Sequence, residues 1–368
     1  MTEPGPVPAP GVTEAIVGLL SPVLGTLERL FWVQRRLHPA VAPQLAEQLD
    51  PAREALAGPL ADLEKLDVPD HVQFIRERLL DVGRQSLEIT AAFVEAARSG
   101  RDPFDLYRAV RRVSRVQEAL YPLAPVFEAV SRWFLEPERR DDDALVERLR
   151  AAALRDDEVG VGVQHASNER DARGGFSLYI PETCDGRTPA PLVVALHGGH
   201  GHGRDFLWTW VRDARSRGAL LMAPTSRGRT WSIIGREDVD AENLREMVEF
   251  VAGHYPVDRE RVLLTGMSDG GTYALLCGLR DGPPFTHLAP ACGTLHPLLL
   301  VGEGLERARG RPIYMIHGAL DWMFPVNTAR FARQLLEDAG ARLVYREIDD
   351  LSHTYPRDEN PRILDWLL

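Results

Sequence analysis

The segment of this 368-residue chain with the clearest chemical use is Gly266-Met267-Ser268-Asp269-Gly270-Gly271. It follows the aliphatic run 262–265 and precedes a helical stretch, 272–280, so Ser268 is expected on a tight strand-to-helix turn. Such a turn forces its central residue into strained backbone geometry. The residues two before and two after must then lack side chains, because strand and helix nearly touch there. The serine projects at a helix N-terminus, where free N–H groups favour developing negative charge. A serine hydroxyl is a poor nucleophile until a base takes its proton. Downstream, the run 313–316 leads to Asp321 and the run 343–348 leads to His353. An acid after one strand and a histidine after the next, in the order Ser…Asp…His, is the order this turn predicts. Asp321 would hold the His353 tautomer, and His353 would deprotonate Ser268 and later protonate the leaving group. Asp349 and Asp350 are rival acids, but they stand too close to His353 in sequence to reach its far nitrogen easily.

Acyl chemistry at a serine also needs N–H groups aimed at the carbonyl oxygen as it becomes charged. One is expected from Asp269, directly after the nucleophile. The other is expected from the glycine-rich loop after the run 192–196, which reads His197-Gly198-Gly199-His200-Gly201-His202-Gly203. Gly199 is the favoured donor, with His200 as the alternative. The three histidines of this loop also suggest zinc, but the spacing is wrong for common hydrolase metal motifs and no Cys or Glu accompanies them. No metal and no cofactor is expected. No G-x-G-x-x-G follows a strand, and no G-K-[ST] occurs. Trp231 lies in the loop after the run 219–223 and is the best candidate for a pocket wall. Trp322 follows the acid directly and is a second candidate for substrate contact.

The elements that must position these residues fall into two textures. Before residue 155, apolar residues recur at helical spacing: Val72, Ile75, Leu79, Val82, Ile89 and Phe93 form one stripe, with Ser86 in its seam. Leu106, Val110, Val113, Leu120 and Phe127 form a second, and Ile16, Leu20, Val23, Leu27, Leu30 and Leu37 a third. Many prolines punctuate the region, so five or six helices are expected, after an extended Pro-rich leader at 1–11. The charge run 136–143 reads as a solvated loop leading into a further helix, 144–154. After residue 155, short strands (176–180, 192–196, 219–223, 262–265, 313–316, 343–348) alternate with helices at 204–217, 241–254, 272–280 and 326–339. That pattern predicts an α/β domain with a mainly parallel sheet and helices on both faces, at 156–368. An all-α helical domain, 12–155, precedes it. Reactive groups in such sheets gather at the carboxyl ends of the strands.

Composition narrows the classes further. The net charge of −11 argues against a general nucleic-acid binder, which needs a basic footprint. Three cysteines, Cys184, Cys277 and Cys292, stand far apart without metal or redox spacing, which fits a reducing compartment. No signal peptide is visible, and the apolar stretch 15–20 is too short to span a bilayer. A cytoplasmic protein without a transmembrane segment is expected.

Together, the segment 191–199, Gly266–Gly271, His317–Asp321 with Pro325, and His353 resemble the α/β-hydrolase superfamily, in its carboxylesterase, phospholipase and polyhydroxybutyrate-depolymerase-like branch. The resemblance covers about residues 160–368 and implies Ser268, Asp321 and His353 as a triad, with Asp269 and Gly199 as oxyanion donors. It implies hydrolysis of a small-molecule carboxylic ester with an apolar acyl or aryl part, through an acyl-enzyme. Thioesterase or acyltransferase chemistry with the same residues is the alternative, and a non-catalytic scaffold comes third. Asp269 departs from expectation, since an acid there adjoins a site of developing negative charge and its carboxylate must point away or be paired. Only 296–310 separates two successive strands at the place where many relatives insert a lid. The helical half is therefore expected to cover the active-site mouth or to mediate homo-oligomerisation.

Overall fold

The computed structural model describes residues 10–153, 155, 160–234, 237–301 and 303–368. The chain divides into two compact units, Met1–Phe134 and Leu135–Leu368. The described part of the first unit contains α1 (Pro10–Arg35), α2 (Ala42–Glu47), α3 (Asp50–Lys65), α4 (Asp70–Ser99), α5 (Pro103–Arg111), α6 (Val113–Leu120) and α7 (Glu128–Trp133). Its centre is α4, which packs against α1, α2, α3, α5 and α6. The expected stripe explains why: Val72, Leu79, Val82, Ile89 and Phe93 are buried. Ser86 is tolerated among them because its hydroxyl donates to the Val82 carbonyl, one turn back, at 2.7 Å. Gly100 ends α4 in the left-handed conformation, and the Asp102 carboxylate caps α5 through the Phe104 N–H.

Three details depart from expectation. Residues 1–9 of the expected leader lie outside the described residues, and Pro10 and Gly11 already belong to α1. The single stripe expected from Leu106 to Phe127 is broken at Arg112 into α5 and α6, and α6 is followed by a 3₁₀ turn, Tyr121–Leu123. By length and composition, Gly11–Arg35 is long and apolar enough to cross a membrane, although 15–20 alone is too short. Half of that apolar window is buried inside the protein, as the face of a core helix would be.

The second unit begins with residues expected to belong to the helices. Leu135 forms a small apolar cluster with Leu145, Val146 and Leu149 of α8 (Asp143–Ala153). Glu136 is buried and pairs bidentately with Arg217, at 2.8 and 3.1 Å. The pair with Arg217 joins this segment to the second unit, so the division falls between Phe134 and Leu135 rather than at the change of texture near 155.

There follow β1 (Gly162–Ala166), β2 (Phe176–Ile180), β3 (Ala190–Leu196), α9 (Gly203–Phe206), α10 (Val211–Arg217), β4 (Leu220–Pro224) and α11 (Asp240–His254). After these come β5 (Val257–Met267), α12 (Asp269–Gly278), β6 (His287–Ala291), β7 (Pro312–Gly318), α13 (Val326–Asp338), β8 (Arg342–Ile348) and α14 (Asn360–Leu367). The eight strands form one sheet in the order β1-β2-β4-β3-β5-β6-β7-β8. β2 runs antiparallel to both its neighbours, and β4 through β8 are parallel, so the sheet is mostly but not wholly parallel. All of β4 and all but the first residue of β3 are buried. Side chains alternate faces along a strand, so both faces of the sheet centre are covered, and these strands read as unbroken apolar runs. β1 escapes a sequence search because it is a half-buried edge strand, GVQHA, without such a run. The helix expected over 204–217 is interrupted by a 3₁₀ turn, Leu207–Thr209.

Candidate active site

Ser268 stands between the end of β5 and the first residue of α12, with φ 57° and ψ −120°. A non-glycine residue at positive φ is costly, and the surrounding glycines allow it. A Cβ on Gly266 would meet the Gly270 carbonyl oxygen at 2.5 Å. A Cβ on Gly270 would meet the carbonyl oxygens of Leu196 and His197, each at 2.5 Å. Neither position admits any side chain, which is why α12 can start directly against the ends of β3 and β5. The Ser268 N–H donates to Ala291 at the end of β6, at 2.9 Å, which ties the turn to the next strand.

Asp321 and His353 lie in the loops after β7 and β8. Their nearness follows from the pairing of those two strands, with Gly318 opposite Ile348. His353 Nε2 is 3.0 Å from Ser268 Oγ, and His353 Nδ1 is 2.8 Å from Asp321 Oδ2. All three side chains are buried. The other carboxylate oxygen of Asp321 accepts the N–H groups of Met323 and Phe324, at 3.0 and 2.8 Å, so the acid is held from both sides. The ring of Phe324 meets His353 edge to face at 5.2 Å. With Asp321 on Nδ1, Nε2 presents its lone pair to the serine hydroxyl.

Sequence reasoning gave no role to His317. It is buried, donates from Nε2 to the Phe324 carbonyl at 2.8 Å, and lies 3.6 Å from Asp321 Oδ2. Burial pushes its pKa down, so it remains a neutral donor that fixes the acid's loop. Its place at the C-terminal end of β7, four residues before the acid, is the signal that could have found it.

The loop after β3 supplies the second side of the site. Neither the Gly199 N–H nor the Asp269 N–H donates to another described residue. A Cβ on Gly198 would lie 3.5 Å from the Ser268 Cβ, so this loop passes directly beside Ser268. The alternative donor, His200, is ruled out: its N–H is already bonded to the Arg229 carbonyl at 3.0 Å. The Asp269 carboxylate, expected to point away or be paired, accepts the Thr230 hydroxyl on Oδ2 at 2.5 Å, which holds it in place without neutralising its charge.

Trp231 is not a pocket wall. It is 2 % exposed, stacks on Tyr273 with ring centres 5.5 Å apart, and donates its indole N–H to the His197 carbonyl at 2.7 Å. It braces the loop after β3 from beneath. His197 is braced as well, since its Nε2 accepts the Ser226 N–H at 3.1 Å and its Nδ1 therefore donates to the Gly198 carbonyl at 2.7 Å. Arg173 bonds the carbonyls of Gly201 and Gly228 and the Ser226 hydroxyl, joining the loops after β3 and β4. His202 caps α9 through the Arg204 N–H. Two of the three loop histidines thus have structural tasks, and no metal-binding cluster occurs among the described residues. Trp322 is half-buried beside the acid.

A sheet in which only β2 runs against the rest, with a serine turn after β5, an acid after β7 and a histidine after β8, defines an α/β-hydrolase-like fold. No protein-family sequence profile matches the chain, and no curated protein sequence matches it. Among solved structures it is similar to a thermostable esterase, at 21% identity and a TM-score of 0.45 over 56% of this chain and 61% of that one. It is also similar to FphF, a fluorophosphonate-binding serine hydrolase of Staphylococcus aureus, at 13% identity and a TM-score of 0.47 over 56% and 99% of the two chains. A third is an S-formylglutathione hydrolase from Agrobacterium tumefaciens, at 18% identity and a TM-score of 0.43 over 56% and 93%. The chain spans less than two thirds of the first of these, and likeness at this level says nothing of substrate.

Proposed function

We propose that the protein is a serine hydrolase that cleaves a carboxylic ester through an acyl-enzyme on Ser268. The observation that carries this reading is the continuous chain of contacts from Ser268 Oγ to His353 to Asp321, at 3.0 and 2.8 Å, on a turn held at positive φ. Strain of that kind persists only where the surroundings enforce it, and here three sets of backbone contacts do.

In this reading the Ser268 oxygen attacks the ester carbonyl while His353 Nε2 takes its proton. Asp321 keeps the proton on Nδ1 and stabilises the imidazolium without itself becoming protonated. The carbonyl oxygen becomes an oxyanion facing the Gly199 N–H of the loop after β3 and the Asp269 N–H at the start of α12, each donor worth roughly 10²–10³ in rate. His353 then gives its proton to the departing alkoxide, leaving an acyl-serine. Water attacks that ester with His353 again as base, and Ser268 regains its proton as the acid leaves. Leu320, an exposed apolar side chain directly before Asp321, supports an apolar acyl or aryl group.

A fluorophosphonate probe tests the proposal. The wild-type protein should label stoichiometrically, and Ser268→Ala should not label while keeping its thermal unfolding midpoint. A folded wild-type protein that fails to label, and that hydrolyses no 4-nitrophenyl ester, would favour the scaffold alternative.

A further inference from the structure

Building on the reading of Ser268 as the acylated nucleophile, we propose that Asp269 selects acyl groups carrying a hydrogen-bond donor, a hydroxyl or an ammonium, next to the scissile carbonyl. Asp269 contributes an oxyanion N–H and hangs a carboxylate from the same residue. Of its two oxygens, Oδ2 is held by Thr230 Oγ1, while Oδ1 accepts no hydrogen bond from a described residue. No basic side chain among the described residues forms an ion pair with it, although the protein has many such pairs elsewhere. A Cβ on Gly199 would lie 2.6 Å from Oδ2 and 3.9 Å from Oδ1. Adding bond lengths, the carboxylate stands within about 6 Å of the Gly199 nitrogen, the other oxyanion donor.

An unneutralised carboxylate at this distance opposes the charge that forms on the carbonyl oxygen. With a plain alkanoyl group that opposition is uncompensated. A substrate donor seated on Oδ1 removes it and adds a charge-assisted hydrogen bond that strengthens as the oxyanion develops. An anionic substituent in the same place meets repulsion instead. The loop around Thr230 is built to hold this arrangement: Arg229 accepts the His200 N–H, and Trp231 donates to the His197 carbonyl, on either side of the Thr230 hydroxyl. The contact between Thr230 and Asp269 is therefore fixed by its neighbours in sequence.

A purely structural role is the competing account, because an acid in the first turn of α12 also favours the helix dipole. The two separate on substrate ratios. The 4-nitrophenyl esters of propionate, lactate and alanine, and the monoester of malonate, differ at the carbon beside the carbonyl as neutral, hydroxyl, ammonium and carboxylate forms. Comparing kcat/KM for wild type and Asp269→Asn on each ester cancels their intrinsic reactivities. The alanyl-to-propionyl ratio should fall about tenfold or more in Asp269→Asn, the size of one hydrogen bond to a charged group, and the malonyl-to-propionyl ratio should rise. A larger fall for lactoyl than for alanyl identifies the hydroxyl as the natural donor, and the reverse identifies the ammonium. Ratios that stay within twofold of wild type overturn the proposal, whatever happens to the unfolding midpoint. If Asp269→Asn does not take up the fluorophosphonate, Thr230→Val is read in the same way: a shift of at least threefold supports the proposal and an unchanged ratio overturns it. Loss of labelling in the wild type would instead defeat the reading of Ser268, so the two failures are distinct.

Discussion

In the proposed mechanism the work of Asp321 is orientation. Three donors converge on its two oxygens, so replacing it with Asn would keep the packing but present an amide N–H₂ where His353 needs an acceptor. The imidazole would then adopt the wrong tautomer toward Ser268. Asp321→Asn is expected to lower kcat by about 10⁴-fold with KM changed only a few-fold. Steady-state kinetics on any ester that the wild type turns over would check this. The glycines are equally specific. Gly270→Ala forces a methyl against two carbonyl oxygens, and it should abolish labelling because the turn cannot close. These residues were legible in sequence because their constraints are local: glycine spacing, strand ends and chain order. His200 was not, because the bond that occupies its N–H comes from Arg229, in a loop that only folding brings near. Trp231 misleads for the same reason, since an aromatic in a loop looks exposed until its indole is seen under the loop after β3.

Among the elements, α10 and α14 carry the most consequential buried polar contact away from the site. Asp213 is buried, and its carboxylate accepts from the Asn360 amide at 2.9 Å. Asn360 in turn bonds the Thr209 carbonyl and the Tyr355 hydroxyl. Burial raises the Asp213 pKa to about 7, with Glu136 adding to the rise while Asn360, Arg212 and Arg357 oppose it. The folded protein therefore holds a proton there that the unfolded chain releases near pH 4. Stability from this group is fully present below about pH 4 and declines as pH rises to about 7, beyond which an ionised carboxylate stays buried. Asp213→Asn keeps an oxygen for Asn360 and carries no charge. Its unfolding midpoint should exceed that of wild type above pH 7, and the difference should shrink toward pH 5. A midpoint difference independent of pH would contradict this. Glu136 gives a second test: Glu136→Ala leaves Arg217 only the exposed Asp365 as a partner and should cost about 3 kcal/mol in chemical denaturation.

At the scale of the whole molecule, the division at Phe134 and Leu135 predicts where the chain can be cut. A protein beginning at Leu135 keeps the Leu135 cluster and the pair between Glu136 and Arg217. It is expected to fold and to label with fluorophosphonate. One beginning at residue 156 loses both and should unfold at a lower temperature or aggregate. Equal midpoints for the two would show that 135–155 contributes nothing to the second unit. The expectation of a boundary near 155 rested on periodicity, which reports the type of element and not the core it joins. Helix α8 is helical in pattern like the residues before it, yet Leu145, Val146 and Leu149 are buried with Leu135 in the sheet-containing unit.

The amino-acid order by itself determined which residues meet at Ser268, because a glycine-flanked serine turn, a strand-end acid and a strand-end histidine each depend on a few neighbouring residues. It also determined the mostly parallel sheet, since strands covered on both faces must be apolar throughout. The tertiary structure alone decided which N–H groups remain open beside the serine, how the Asp269 carboxylate is held, and to which core residues 135–153 belong. Each of these depends on partners distant in sequence, and an N–H bonded to a carbonyl thirty residues away looks the same in sequence as one left open.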